Sequence, residues 1–390
     1  MIAAALILAL HAPAAADAPA AAPPSTTTPA TSAPDSGSTA PRPRLSVQER
    51  LQQRTGAATG TTSGERLTQS LSQGVSSPGA YSEELSRVVE RFPAYAAQHS
   101  PWTGTVRVVG SETMGPMVSN LAIGFQALYP GLEITIGQGG SAVGVDALAT
   151  GLCDVAAVAR PLTDAERTRL AATTRRTVIE VPIAMDAVCV YVNHANPIAG
   201  LTREQLNGIF AITHSQAPQP ILRWNQLDPA SPLGSEFLPL YLLNGQSGTM
   251  QLFRDWCMPG EEFTTVLRFV EPGPSSVVNA CCAYRDAIGI AGYGSGQPRA
   301  RRVPVSAGAG QPFVEPTPTS IIDGTYPLSR PLNLVVLANA DGSIDPVVRD
   351  WLRFIWSESG QDTVATVGEV PPHPERIPEV LGVPIDDMWR

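Results

Sequence analysis

The chain has 390 residues, 43% of them hydrophobic and 16% charged, with 35 acidic against 26 basic side chains and a formal net charge of −9. That length supports one large or two ordinary domains with real cores. The acidic balance argues against a general nucleic-acid or membrane-surface role, since both need a basic face. It does not exclude a small anion, because a cleft that aims backbone N–H groups inward binds one against an unfavourable overall charge.

Met1 to Leu10 form a short apolar run, followed by Ala12, Ala14, Ala15 and Ala16. The run is too short to span a bilayer and precedes small residues suited to cleavage, so 1–16 reads as a signal peptide and the protein as periplasmic or otherwise exported, with cell-surface display as the alternative. No Lys or Arg precedes the run. Residues 17–44, rich in Pro, Ala and Thr, cannot bury enough surface to offset their ordering entropy and read as a disordered linker. Residues 45–102 read as a partly helical spacer, with helices expected over 45–53 and 81–92.

The folded body starts near Thr103. Thr105–Val109 is rich in β-branched residues and predicts a strand, followed by Gly110-Ser111-Glu112-Thr113 and a helical spacing from Met114 to Tyr129. Leu132–Ile136 is a second strand, leading through Gly139-Gly140-Ser141 into another helix, and Val155–Val158 is a third short apolar run before Arg160. Strand, Gly/Ser turn and helix in repetition predict an α/β fold with a parallel sheet. Val181–Val192 is a long apolar stretch able to run between two lobes. A helix follows over Arg203–Phe210 with Thr202 as N-cap. Next come a strand at Leu240–Leu243, a helix behind Ser247-Gly248-Thr249 and a strand at Ile288–Tyr293. A strand at Leu332–Leu337 and an amphipathic helix over Asp345–Ser357 complete the series.

The recurring feature is a small hydroxyl residue beside glycine where a strand turns into a helix: Ser111 with Thr113, Ser141, and Ser247 with Gly248 and Thr249. A helix start presents unpaired N–H groups and a positive dipole end, the hydroxyl adds a rotatable donor, and glycine admits a ligand oxygen to the backbone. Three such sites on one cleft could replace the water a tetrahedral oxyanion loses. The plainer reading of each is helix capping. Their joint placement at the carboxyl ends of strands, where α/β ligands sit, favours binding.

A serine hydrolase using Ser247 or Ser111 is a further reading. Neither serine lies in a Gly-x-Ser-x-Gly elbow, and no histidine is placed as an obvious base. The five cysteines and five histidines suggest no metal site, and no cofactor is expected. Buried free thiols are the favoured reading of the cysteines, with a disulfide from Cys257 to Cys281 or Cys282 as the alternative.

From about Thr103 onward the chain resembles the phosphate-binding subunits of bacterial ABC phosphate transporters. The resemblance rests on Val109 to Met114, on Gly139-Gly140-Ser141 with Ala147 to Gly151, and on Asp154 to Pro161. It continues through Ala184-Met185-Asp186-Ala187, Asn196-Pro197-Ile198 with Leu201-Thr202, and Ser247-Gly248-Thr249 with Phe253. It ends with Ile288 to Tyr293 and Tyr326-Pro327-Leu328-Ser329-Arg330. It implies the type II periplasmic binding protein fold, two α/β lobes joined by two hinge strands with the ligand in the cleft between them. Lobe 1 is expected over 103–187 and 303–390, and lobe 2 over 188–302. The implied ligand is inorganic phosphate or a similar oxyanion, held by Ser111, Thr113, Ser141, Ser247, Gly248 and Thr249, with Glu112 accepting the ligand's proton. The implied role is non-catalytic delivery, as a monomer, to the membrane permease of an ABC transporter. Where the family carries an arginine four residues before Ser-Gly-Thr, this chain has Leu243, which leaves Arg160 as the expected cation. A surface ion pair competes with that role for Arg160, and complementing a helix dipole competes for Glu112. The missing arginine also keeps open a degenerate relative that senses or scaffolds, with weak phosphate affinity or another anion.

Overall fold

The computed structural model describes residues 83–97, 101–245 and 247–376. The expected signal peptide, the linker at 17–44 and the helix over 45–53 lie outside the described residues. Of the spacer's second helix, α1 (Glu83–Val89) is described, with Leu85 and Val89 buried. Among the described residues no helix is long and apolar enough to cross a membrane.

Three β-α units follow. They are β1 (Gly104–Gly110) with α2 (Gly115–Gln126), β2 (Leu132–Gln138) with α3 (Ser141–Ala149), and β3 (Val155–Val158) with α4 (Asp164–Thr174). The strands pair in parallel with β1 central, so their carboxyl ends share one edge. All four residues of β3 are buried, as expected of a strand covered on both faces. One face carries Met117, Leu121 and Phe125 of α2, and the other Val145 and Leu148 of α3 with Leu170 of α4.

β4 (Thr177–Asn193) runs 17 residues and belongs to both halves of the sheet. Beyond it come β5 (Leu201–Thr202), α5 (Arg203–Phe210), β6 (Leu240–Leu242), α6 (Gly248–Cys257), β7 (Arg268–Val270), α7 (Pro274–Ala283) and β8 (Ile288–Gly292). The chain returns through β9 (Ala300–Arg302), β10 (Val305–Ser306) and α8 (Pro318–Ile322). It ends in β11 (Ser329–Ala338), α9 (Pro346–Ile355) and α10 (Glu358–Thr366). The strand order is β2-β1-β3-β11-β4-β8-β6-β7, with β9 pairing on β4. Thr177–Ala187 of β4 pair antiparallel with β11, with one register shift between Leu332 and Asn333, and Val188–Val192 pair with β8. One continuous strand therefore couples the two halves.

The first core gathers Val106, Val108, Val181, Ile183, Leu334, Trp351 and Ile355. The second gathers Val188–Val192, Phe210, Phe253, Val277 and Ile290. Val303, Val305, Ile321, Tyr326 and Leu328 pack in the second core, whereas Leu332 packs in the first. We propose that the returning crossover lies at Leu328–Leu332 rather than at the expected 303.

The segment before Thr103 is tied into the first core. Phe92 is buried there, and Tyr95 Oη (2.9 Å) and Trp102 Nε1 (2.7 Å) donate to Asp350 Oδ2, which also accepts Tyr129 Oη at 3.1 Å. Arg353 Nη1 neutralises the same carboxylate from 2.9 Å. The body thus begins before Thr103. All five cysteines are free, so the alternative disulfide is not formed, and burial pushes the Cys189 and Cys281 thiols up to about 12.

Candidate functional site

Because β1, β2 and β3 end at one edge, the loops that follow them are brought together. After β1 the chain turns tightly: Ser111 N–H donates to Ala157 O at 2.8 Å, Met114 N–H to Ser111 O at 3.2 Å and Gly115 N–H to Glu112 O at 3.1 Å. α2 starts only after this turn, with Met114 as an N-cap that offers no side-chain bond. The Ser111 and Thr113 hydroxyls therefore do not cap it. Ser111 is buried and Thr113 half-buried. Glu112 is exposed and stands before the first turn of α2 rather than in it, so it does not complement that dipole from within the helix.

In the second loop Gly139 and Gly140 N–H both donate to Gly110 O at 3.1 Å. Ser141 is the first residue of α3, and its Oγ accepts Ala159 N–H at 3.1 Å. A hydroxyl that accepts through a lone pair keeps its proton to donate. These bonds lock three strand ends into one rim.

Across from the rim, Ser247 does cap α6, its Oγ accepting Met250 N–H at 3.2 Å. Gly248 and Thr249 follow as the first helical residues, whose N–H groups have no acceptor within the helix. Gly248 is the point of closest approach. A Cβ there would collide with Thr113 Oγ1 and lie 3.2 Å from Arg330 Nη2. Glycine is what lets the first loop and the start of α6 meet.

Arg330 is the residue sequence reasoning missed. It stands on β11 directly opposite Asp186 of β4, with Nε at 3.0 Å and Nη2 at 2.8 Å from Asp186 Oδ2. Nη2 also reaches Gly248 O at 3.3 Å. Asp186 is buried and Arg330 partly so, with side-chain exposures of 6% and 15%. Among the described residues no bond engages Nη1, so two N–H donors of this guanidinium remain for a ligand. The sequence did hold a signal: opposite charges stand in or beside two largely apolar runs, Asp186 within Val181–Val192 and Arg330 just before Leu332–Ala338.

Arg160 was expected to be the cleft's cation, and in the structure it is paired with a nearby carboxylate. Its Nη1 and Nη2 fork onto Glu166 Oε2 and Oε1, each at 2.8 Å. Glu166 also closes the capping box of α4 by accepting Thr163 N–H at 2.9 Å and Oγ1 at 3.0 Å. Arg160 and then Thr163 hold the Glu166 carboxyl down at about 2. The competing surface ion pair is the arrangement found, with the Arg160 side chain 37% exposed. Leu243, at the position of the family's arginine, is buried in the second core.

A family profile described as a PBP superfamily domain matches residues 95–359. The phosphate-binding protein PstS of Pseudomonas aeruginosa is 28% identical over 308 residues, covering 79% of this chain and 94% of that protein. Protein SphX of Synechococcus elongatus is 28% identical over 280 residues, covering 69% and 78%. Among solved structures, a possible phosphate binding protein from Planctomyces limnophilus aligns with TM-score 0.61 at 24% identity, covering 74% of this chain and 99% of that one. An ABC-type phosphate transport receptor from Vibrio cholerae aligns with TM-score 0.56 at 23% identity, covering 69% and 100%. These structural likenesses show the same two-lobed α/β fold. With the profile spanning more than half of its length, the chain belongs to the PBP superfamily.

Proposed function

We propose that this protein binds inorganic phosphate, or a closely similar tetrahedral oxyanion, between its two lobes and delivers it to the permease of an ABC transporter without chemical change. The observation that carries this reading is the meeting of Thr113, Gly248 and Arg330, one element from each side of the cleft and one from a hinge strand. Hydroxyl donors at Ser111, Thr113, Ser141, Ser247 and Thr249, the amides at Gly248 and Thr249, and the free edge of Arg330 make a donor-rich shell suited to a dianion. Charge-assisted bonds from a fixed guanidinium favour it further. Glu112, exposed on the first loop, is the proposed acceptor of the ligand's proton, which would select hydrogen phosphate over sulfate. The names of the relatives support phosphate and an ABC permease as partners, and with them an exported location. We infer a monomer.

Hydrolysis is disfavoured by the same geometry. Ser247 Oγ is engaged as a cap, and His194 Nδ1 lies 3.1 Å from Arg299 O, on the β9 side of the second lobe. The degenerate-relative reading draws on one observation, the burial of Leu243 where the family has a cation. Isothermal calorimetry of the full chain against phosphate, arsenate, sulfate and molybdate separates the readings. Saturable phosphate binding with sulfate excluded is the expected result. Silence toward all four anions would overturn the reading in favour of the degenerate relative, and turnover of a phosphate ester would overturn it in favour of the hydrolase.

A further inference from the structure

We propose that Glu369 is a positioning residue of the anion site: a proton-bearing carboxyl, in line behind the Asp186–Arg330 pair, whose ionisation weakens the hold of Arg330 on an anion. This rests on the oxyanion reading above and adds to it a residue and a control by protons.

The geometry comes from a short bridge beside the hinge. Met185 and Val370 exchange both backbone hydrogen bonds, at 2.7 Å and 3.0 Å, as an antiparallel pair. The neighbouring positions, Asp186 and Glu369, then face each other without such bonds. In that arrangement the side chains stand close together on one face. Asp186 is in turn directly opposite Arg330. Carboxyl, carboxylate and guanidinium therefore form one row across three adjacent segments. The far end of the row touches Gly248 O at the cleft.

Two carboxyl groups share one cation here, and a single guanidinium neutralises only one of them. Burial first, and then the Asp186 charge, push the Glu369 carboxyl well above the usual carboxylate range, against a smaller opposing pull from Arg330. Asp186 on β4 and Arg330 on β11 are the charged groups that act on it. From the second lobe the turn at Tyr293–Ser295 covers this corner. Gly368, in the left-handed region at φ 94°, passes so near Gly294 that a Cβ on Gly294 would collide with its Cα. The charge on that side is Arg302, which is committed to Tyr293 O at 2.8 Å and Tyr191 Oη at 3.3 Å.

With Glu369 protonated the row is neutral, and the Arg330 charge beside Gly248 O attracts an anion unopposed. Ionising Glu369 adds a negative charge to the same row and opposes an incoming anion. By linkage, a bound anion would hold the proton on Glu369.

The test compares phosphate affinity of the full-length wild type with that of Glu369→Gln across a pH series, read as the ratio at each pH so that the anion's own titration cancels. Wild type should match the variant at the acid end and fall behind it by roughly tenfold at the alkaline end, as expected for one added charge near a partly buried site. Glu369→Met is the second neutral variant, and it is read if the amide variant lacks a cooperative melt. A ratio that stays flat while wild type binds phosphate overturns this inference and leaves the phosphate reading intact. Absence of phosphate binding by wild type at every pH overturns the phosphate reading and this inference with it.

Discussion

Arg160 and Arg330 lie within one molecule, both close to the rim where the strands of the first lobe end, and the fold treats them oppositely. Arg160 follows β3 in a loop, and the helix start just beyond it supplies Glu166, which takes Nη1 and Nη2 in a bidentate pair while Nη1 also reaches Pro161 O. Arg330 sits inside a strand, is held along its Nε–Nη2 edge by Asp186 from the neighbouring strand, and through Nη2 also reaches Gly248 O. A carboxylate on a short local connection ties the guanidinium to its own loop and helix start, whereas one fixed across a strand pair holds it where the first loop and the start of α6 meet. What matters for an anion site is therefore where the counter-charge of an arginine comes from, more than how near that arginine lies in sequence to the loops.

Removing Arg330 should break this comparison most severely. Arg330→Ala leaves Asp186 buried without its partner, a change that typically costs about 3–5 kcal/mol. A lowered melting temperature and loss of detectable phosphate binding are both expected, by differential scanning and isothermal calorimetry. Gly248→Ala comes next: its methyl group would drive Thr113 from the second lobe, and overpacking of this kind costs about 1–3 kcal/mol. Its mark should be weaker phosphate binding with the melting temperature nearly kept, since the strain exists only when the lobes meet. A wild-type affinity in Gly248→Ala would mean that the two loops do not close on the ligand.

Smaller again is Ser141→Ala, which removes one hydroxyl donor and the acceptor of Ala159 N–H. It should weaken phosphate binding by about 1–2 kcal/mol, the range for an unmade bond at a polar site. Arg160→Ala is the mildest. Its partly exposed pair is worth about 0.5 kcal/mol or less once screened by solvent, and phosphate affinity should not change. The variant should nonetheless alter the acid limb of stability. Glu166 is depressed from 4.5 to about 2 in the folded protein, so it contributes stability that is present above about 4.5 and lost as pH falls toward 2. Without Arg160 that loss should be smaller, visible as a shallower fall in melting temperature across this window.

Much of the architecture was legible because it is written in local patterns. The β-branched run at Thr105–Val109 became β1, Thr202 capped α5 as its position suggested, and the apolar stretch at Val181–Val192 became the strand that couples the lobes. The helix α4 was not foreseen, since its apolar face is narrow, with Leu170 alone buried in it; α7 was not foreseen either, though Val277, Val278 and Cys281 are buried in it. The hydroxyl–glycine loops were legible for the same local reason. Ser111 and Thr113 could not be told from caps in sequence, because where a helix starts depends on a turn whose bonds run to Ala157 and Ser111 backbone atoms. Arg330 and Glu369 carried at most an unpaired-charge signal in sequence, because their partner Asp186 lies more than 140 residues away, which no short window contains.

The central claim is that Arg330, and not Arg160, is the fixed cation for the bound anion. Phosphate titrations of full-length wild type, Arg160→Ala and Arg330→Lys in one buffer test it directly, the lysine variant keeping a charge beside Asp186 while losing the planar fork. The account predicts wild-type affinity for Arg160→Ala and at least about tenfold weaker binding for Arg330→Lys, the loss of one charge-assisted bond. Tight binding by Arg330→Lys together with its loss in Arg160→Ala would contradict the account.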